Sequence, residues 1–388
     1  MMNRKRFTAL SSVVLIAACG FLAVRLKAQS GTLQAPPTPK KAEEVFKNIQ
    51  VLKGIPADQL FPTMQFISAS LGVECEFCHV HDAFEKDDKK PKQTARKMME
   101  MMFAIDADNF EGHRQVTCNS CHRGNMHPVA IPAVMAEGSK ELMGMPHSGD
   151  ADKKSAEPPK ENAAPTADQL FDKYVEALGG ASAIDKIVSR VMKGTIDFGG
   201  RSLPIDIYAK DPEKRISLTH MPDGENITAF NGHEGWLGMT GRPLREMHGS
   251  DLDGAAIDAD LHLATHLKQM FTQLQVQGRE KIGDRDVRVV EGRREGKTPI
   301  RLYFDEQSGL LVRLVRYGDT ALGWLPTQID YADYREANGV KIPYRWTLAR
   351  PSGRFTIQVS EMQQNVPVDD AKFVKPEAPP EQPKSTAK

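Results

Sequence analysis

The sequence predicts a multidomain protein, with an N-terminal all-α module followed by a C-terminal α+β domain built on an antiparallel sheet. Three observations predict this fold class. Residues 41–132 carry apolar side chains at helical spacing, whereas apolar and polar residues alternate from about residue 190 onward. Between them, residues 133–166 are rich in Ala, Pro, Lys and Glu, which indicates a flexible linker. A chain of 388 residues is also too long for a single core.

Residues 1–29 have the pattern of an export signal or membrane anchor, with a basic start followed by an apolar stretch. Small residues before Cys19 resemble the lipobox of bacterial lipoproteins, in which this cysteine carries the lipid. Apolar character resumes after Cys19, so residues 8–24 are alternatively an uncleaved anchor, at the lower limit for a spanning helix. Cleavage near Ala28 is the third alternative. Each predicts a periplasmic or other extracytoplasmic location, and residues 30–40 are a polar, Pro-rich spacer.

Two copies of one short motif lie inside the helical module. A Cys-x-x-Cys-His motif is the attachment signature of a c-type haem, whose vinyl groups become thioethers of the two cysteines. The histidine that follows ligates the iron. The sequence therefore predicts two covalently bound haem c groups, attached through Cys75 and Cys78 with His79 on one iron, and through Cys118 and Cys121 with His122 on the other.

Structural zinc is the alternative, because paired Cys-x-x-Cys units also bind zinc. A histidine follows the second cysteine in both copies, and a long stretch of chain separates them. The export signal also favours haem, since haem c is attached outside the cytoplasm. Four of the five cysteines lie in the motifs and the fifth is Cys19, so no thiols remain for a disulfide framework.

The helical module contains a loose internal repeat of helix, loop and Val-x-Cys-x-x-Cys-His. We predict a first helix over about residues 57–70 and a second over about residues 93–106. Their apolar faces are Leu60, Met64 and Ile67 or Leu71 in the first, and Ala95, Met98, Met102 and Ile105 in the second. Two haems would supply much of the core of so small a module.

In residues 167–375 the spacing of apolar residues changes from a helical period to the alternation, with a period of two, that is typical of strands. A helix from Thr166 or Asp168 to Leu178 comes first, then a short helix over about residues 182–189, and a longer one interrupts the strands over about residues 251–271. Residues 376–388 are a predicted disordered tail. Alternating or apolar runs occur at 203–208, 300–304 and 355–359, and turn signals at Asp223-Gly224, Ser308-Gly309, Asn338-Gly339 and Ser352-Gly353.

A sixth iron ligand must come from methionine or histidine. Met64 precedes the first motif on the predicted helix, although methionine is also a common gap-filler in cores. His81 and His127 follow their motifs too closely to reach the opposite face of a haem easily. The second haem has several candidates, namely Met98, Met99, Met101, Met102 and His113.

Over roughly residues 43–130 the chain resembles the cytochrome c subunit of photosynthetic reaction centres. The resemblance rests on ordered segments: Val45 to Leu52, Met64 through His79, Ala95-Arg-Lys-Met98, and Val116 through Gly124. It implies that Met64 ligates the first iron and Met98 the second. Methionine–histidine ligation raises a haem's potential, so both haems are expected to be fairly oxidising.

The chain departs from that family in having two motifs, whereas the family subunit carries four haems in two halves. In the family, a histidine before the second motif reaches a haem of the other half. His113 lies near that position and is therefore unassigned. It is an ordinary loop residue, a sixth ligand in place of Met98 (as Met101 also could be), or a ligand across a dimer.

The second domain resembles, more weakly, the curved half-barrel of outer-membrane lipoprotein carriers. The resemblance rests on Gly235 to Gly238, Leu302 to Arg313 and Gly339 to Arg345. It implies either a hydrophobic ligand sheltered by the sheet or docking to an envelope partner. The alternative is a scaffold without a ligand.

Together these features predict a membrane-tethered dihaem cytochrome that passes single electrons to or from a redox partner, either a reaction centre or a respiratory complex. No set of residues has the pattern of a catalytic acid–base pair or nucleophile. The alternatives are a peroxidase-like dihaem enzyme and a redox sensor that binds a lipid or quinone. Acidic and basic residues balance at 51 each, and nothing in the sequence suggests nucleic acid, whose binding would need a basic face.

Overall fold

A computed structural model describes residues 39–128 and 165–376, and the described residues from Lys40 onward form one compact unit. The predicted leader with Cys19, nearly all of the spacer and linker, and all but the first residue of the predicted tail lie outside these ranges. Within the described ranges, no helix combines the length and the apolar character needed to cross a membrane.

The first described range is helical, as predicted. It comprises α1 (Ala42–Val45), a 3-10 turn (Ala57–Gln59), α2 (Leu60–Leu71), α3 (Cys75–Cys78), α4 (Lys90–Asn109) and α5 (Cys118–His122). Helix α2 ends at Gly72, whose φ of 66° is in the left-handed region that glycine adopts readily. A side chain on Gly72 would also collide with the carbonyl of Gly124, which lies just after α5. This close approach joins α2 to the second motif.

The second described range begins with two helices and continues as a 13-stranded antiparallel sheet. The helices are α6 (Ala167–Leu178), α7 (Ala181–Ile184), α8 (Gly249–Ala259) and α9 (Leu263–Met270). The strands are β1 (Ser189–Phe198), β2 (Arg201–Lys210), β3 (Lys214–Met221), β4 (Gly224–Asn231), β5 (Gly235–Met239), β6 (Arg245–Glu246), β7 (Gln273–Ile282), β8 (Arg285–Arg293), β9 (Ile300–Asp305), β10 (Leu311–Thr320), β11 (Gly323–Ala337), β12 (Val340–Arg350) and β13 (Gly353–Gln364).

The strand order shows that nearly every strand pairs with its neighbours in sequence. It runs β6-β5-β4-β3-β2-β1-β13-β12-β11-β10-β9-β8-β7, so the pairing of β1 with β13 joins the two halves of the sheet. The predicted turn signals all fall between paired strands. The N-terminal helical region and the C-terminal antiparallel sheet therefore confirm the predicted fold class.

Apolar side chains of α6 and α9 pack on the sheet and form the largest core cluster. Its most buried members include Phe171, Leu267, Leu302 and Phe304. Helix α6 starts where predicted, because the Thr166 hydroxyl accepts the N–H of Gln169 in a capping box.

Two helix boundaries differ from the prediction. The helix expected over residues 251–271 is two helices, because Asp260 leaves the helical conformation and its carboxylate accepts the N–H of His262 at 2.8 Å. The helix expected to reach Ser189 ends at Ile184, because Ser189 already pairs with Lys210 in the sheet. Tertiary pairing overrides local helical preference in the second case.

The tip between β10 and β11 packs into the helical module. Leu322 is fully buried there and shares a cluster with Phe66, Met99 and Met102. The ring of Phe66 lies so close to Gly323 that a side chain at this glycine would collide with it. Arg114 adds an ion pair with Asp319 at 2.6 Å and donates to the Thr320 carbonyl. The sheet thus completes the core of the helical module.

Candidate cofactor-attachment sites

The first motif forms the short helix α3, in which Cys75 and Cys78 are one turn apart. Side chains three residues apart lie on the same face of a helix, so both thiols face one direction. Cys75 is exposed and Cys78 is half-buried, and both are free thiols. Burial raises the pKa of the Cys78 thiol, which keeps it protonated at neutral pH.

The second motif forms the short helix α5, in which Cys118 and Cys121 are again one turn apart. Cys118 is half-buried, Cys121 is exposed, and burial again raises the pKa of the more buried thiol, Cys118. The helix begins with a reciprocal cap between Thr117 and Ser120, whose hydroxyl accepts the Thr117 N–H at 3.1 Å. Each motif therefore has one half-buried and one exposed cysteine, but in opposite order: the half-buried one is the second cysteine of the first motif and the first cysteine of the second motif.

The histidines of both motifs are oriented by the same kind of hydrogen bond. His79 Nδ1 lies 2.9 Å from the carbonyl oxygen of Phe84, and His122 Nδ1 lies 2.9 Å from that of Asn125. A carbonyl can only accept, so each Nδ1 carries a proton, and in the neutral ring Nε2 then keeps its lone pair. This is how a metal-ligating histidine is usually held, with its second ring nitrogen donating to a backbone carbonyl.

Lys92 of α4 acts on the first site and was missed by the sequence reasoning. This lysine is only 9 % exposed, and its ammonium donates to the carbonyls of Phe84 at 2.8 Å and Lys86 at 2.7 Å. The Phe84 carbonyl is therefore shared between Lys92 and His79. Lys92 also pairs with Asp87 at 3.1 Å, and hydrogen bonds from Arg96 first, then from Asn48 and Lys92, hold the pKa of Asp87 well below its usual range.

Asp106, near the end of α4, holds the chain that leads into the second motif. Its carboxylate is buried and accepts the N–H groups of Gln115 at 3.2 Å and Val116 at 2.8 Å. The buried face of α4 is Lys92, Met99, Met102 and Asp106, which follows helical spacing. That spacing was the signal for both charged residues, because Lys92 and Asp106 lie on the same helical face as the buried methionines.

The methionine candidates differ in exposure. Met98 is 46 % exposed and Met101 51 %, whereas Met99 and Met102 are buried in the core. The predicted apolar face of α4 included Met98 and Met102, whereas the buried face includes Met99 and Met102. The buried face is thus rotated from the predicted one, because Met99 and Met102 are the methionines that share a core cluster with Phe66 and Leu322. Met98 and Met101 are therefore exposed ligand candidates, and Met64 is half-buried.

The remaining histidine candidates, His81, His113 and His127, are exposed. Helix α2, which carries Met64, packs against α5, and α4, which carries Met98, packs against α3. Each methionine-bearing helix therefore contacts the motif of the other half. The pairing of Met64 with the first iron and Met98 with the second stays a prediction.

Large exposed apolar side chains occur within the first motif, between the two motifs and just after the second along the chain. They include Phe77, Phe84, Met98, Met101, Phe103, Phe110 and Met126. Such a concentration marks a binding surface rather than an ordinary solvent face. Two thiols on one helical turn, an oriented imidazole, a methionine on a helix that contacts the motif and exposed apolar side chains fit the requirements of haem c. These residues give the helical module the composition of a c-type cytochrome.

Comparison with known proteins agrees with this class. Residues 22–191 match the family model described as photosynthetic reaction centre cytochrome C subunit. A photosynthetic reaction center cytochrome c subunit from Thermochromatium tepidum is 35 % identical over 99 residues, which are 24 % of this chain and 24 % of that protein. Cytochrome c-554 from Chloroflexus aurantiacus is 34 % identical over 82 residues, covering 19 % and 20 % respectively. The predicted resemblance is confirmed.

The matched segments span only a fifth to a quarter of the length of these curated relatives, 20 % and 24 %. For the second domain, a LolA superfamily protein from Nitrosomonas europaea aligns with 55 % of this chain and 99 % of its own, at 16 % identity and a TM-score of 0.38. The sequence similarity of the first domain supports a c-type cytochrome with covalently attached haem.

Proposed function

We propose that this chain is an extracytoplasmic, membrane-tethered dihaem cytochrome that carries single electrons. The observation that supports it most directly is the duplicated site. Two Cys-x-x-Cys-His helices each present a half-buried and an exposed thiol, and each histidine is oriented by a backbone carbonyl at 2.9 Å. One such motif is a weak signal, but two motifs that each form a helical turn and each orient a histidine through a backbone carbonyl favour two haems.

In this proposal the protein residues have three roles. The four motif cysteines hold the haems covalently, His79 and His122 each present Nε2 to an iron, and Met64 and Met98 supply the sixth ligands. The bound haems supply a metal centre that changes its charge by one electron. The protein sets the potential through the ligands, the hydrogen bonds to the histidines and the burial of the site.

The packing around the motifs favours electron carriage over catalysis. Helix α4 is held on one side by the Lys92–Asp87 pair and on the other by the Asp106 carboxylate. The buried tip at Leu322 fills the space between α2 and α4. A rigid surround suits electron transfer, in which the ligands keep their places in both charge states. A peroxidase-like enzyme would instead need a site with a displaceable ligand.

Attachment and partner are also part of the proposal. Cys19 would carry the lipid, or residues 8–24 would remain as an anchor, and either would keep the haems close to a membrane-bound redox partner. Because the matched curated relatives include reaction center subunits, a reaction centre is one partner class and a respiratory complex is the other.

The sheet domain is proposed to be mainly a scaffold for the haem module. Its own helices α6 and α9 cover part of the sheet with apolar side chains. A cavity of about 110 Å³ beside α2 is lined largely by charged and polar groups, including Arg245, Asp251, Arg316 and Asp319. Such a lining is unfavourable for an acyl chain, so a hydrophobic ligand is the less supported alternative.

Expression with and without cytochrome c maturation tests the haem number. We expect mature protein to carry the mass of two haems, and the variants Cys78→Ser and Cys121→Ser each to reduce covalent attachment at one site only. Absorption spectra of the ferric protein then separate the functions, since low-spin iron at both sites favours electron carriage. Colourless protein, or a high-spin site that binds cyanide rapidly, would contradict the proposal.

A further inference from the structure

Three potential metal ligands meet at the junction of α8 and α9, on the second domain. They are Asp260, His262 and His266, and one ligand atom from each lies within 4.8 Å of the others. Asp260 ends α8, His262 precedes α9, and His266 follows one turn later on the same side. The break between the two helices is thus what brings these three residues together.

Contacts from distant parts of the chain orient His262. Its Nε2 lies 2.9 Å from the carbonyl oxygen of Ile187, so Nε2 carries a proton and donates it. In the neutral ring Nδ1 then has a lone pair, and this nitrogen faces Asp211 Oδ1 at 3.6 Å. Two acceptors that face each other need a proton or a cation between them. The backbone carbonyl plays the same part as in metal-bound histidines.

Asp260 is positioned as a buried ligand rather than as a surface charge. Its side chain is only 7 % exposed. One carboxylate oxygen accepts the backbone N–H of His262, and the other lies 2.8 Å from His266 Nδ1. A second carboxylate, that of Asp185, lies 3.4 Å from the Thr265 hydroxyl, on the turn between the two histidines. Carboxylates and imidazoles gathered in this way favour a divalent cation.

We propose that Asp260, His262 and His266 bind a divalent transition-metal ion such as Zn²⁺, with Asp211 or water as the fourth ligand. Imidazole and carboxylate ligands are those that zinc prefers outside thiolate sites. Zinc bonds of about 2.0–2.2 Å place tetrahedral ligand atoms roughly 3.3 Å apart, so ligand atoms that now lie up to 4.8 Å apart must approach by up to about 1.5 Å. The half-exposed His266 can make that movement.

Zinc binding to the haem-loaded full chain tests the site. Protein treated with a chelator is dialysed against Zn²⁺, its zinc content is measured by mass spectrometry, and its affinity by calorimetry. We expect one zinc per chain in the unaltered protein, and at least a tenfold loss of affinity in His266→Gln and in the double variant His262→Ala/His266→Ala. His233→Ala, which changes an exposed histidine elsewhere, is the matched control and should bind normally.

Absorption spectroscopy at the zinc edge identifies the ligands. Nitrogen and oxygen neighbours alone are expected, whereas sulfur neighbours would place the zinc on unreacted motif cysteines and overturn this site. Zinc content that is equal in the double variant and the control would also overturn it. In that case the cluster is a histidine–aspartate ion pair only. None of these outcomes depends on whether the haems carry electrons, so the two proposals fail separately.

Discussion

The two motif regions share a one-turn helix and a histidine oriented by a backbone carbonyl, but they differ in which cysteine is half-buried and in what holds each motif in place. The first histidine shares its backbone carbonyl with the buried ammonium of Lys92. The second histidine donates to the Asn125 carbonyl, and its motif is held through the Asp106 carboxylate and a hydrogen bond from Gly124 to Ser70 at 2.9 Å. A repeated motif therefore need not give two haems of equal midpoint potential, because the residues that tune each site lie outside the motif.

The largest expected change removes the packing that supports the second motif. Phe66 is buried between α2 and the β10–β11 tip, and α2 also contacts α5. Phe66→Ala should lower the free energy of unfolding by about 3–5 kcal/mol, since it leaves a cavity in the core. Denaturant unfolding of the haem-loaded protein measures this. Phe61→Ala, at an exposed position of the same helix, should change it by less than about 0.5 kcal/mol, and equal effects would refute this account.

Next in size is the loss of a proposed methionine ligand. Met64→Ala and Met98→Ala should each lower the midpoint potential of one haem by on the order of 100 mV, because axial ligands set haem potentials over a range of about 0.8 V. Redox titration with spectra measures both haems, and Met126→Ala is an exposed control. The single-haem forms Cys78→Ser and Cys121→Ser show which haem each methionine serves. If His113→Ala has the effect and Met98→Ala does not, the assignment of Met98 is wrong.

A smaller effect, confined to the second site, is expected at Asp106. Asp106→Ala leaves the N–H groups of Gln115 and Val116 without their buried acceptor. The free energy of unfolding should fall by about 2 kcal/mol, as for other buried donors that lose a charged partner. The exposed Asp108→Ala is the control. A change in the first haem's potential that equals the second's would show that the two sites are not independently held.

The smallest expected effect is that of Lys92, and it tests most directly whether the two histidines are tuned differently. Lys92 withdraws electron density from the Phe84 carbonyl and adds positive charge, and both effects disfavour the more positive ferric iron. Lys92→Met should therefore lower the first haem's potential by roughly 40 mV, equivalent to about 1 kcal/mol for one electron, and leave the second unchanged. Lys97→Met removes an exposed charge from the same helix and should have a smaller effect. Equal shifts in the two variants would exclude the carbonyl contact as the cause.

The periodic spacing of apolar residues along the sequence predicted the main helices and strands well. The helices around Met64 and Met98 and the strands from Ser189 onward lie close to their expected positions, since each is a property of neighbouring residues. The break at Asp260 was not predicted, because it depends on the hydrogen bond from His262 and on the packing of both helices on the sheet. The roles of Lys92 and Asp106 were also missed, because each acts on backbone atoms several residues away in sequence.

What the sequence determined alone is the chemistry of the motifs, since the two cysteines and the histidine lie within five residues and one helical turn sets their arrangement. Only the tertiary structure decided which α4 methionines are buried, which carbonyl orients each histidine, and that Asp211 approaches His262. The reason is physical. Local spacing constrains neighbours along the chain, whereas burial and shared hydrogen bonds arise from contacts between segments whose approach is set by the whole fold.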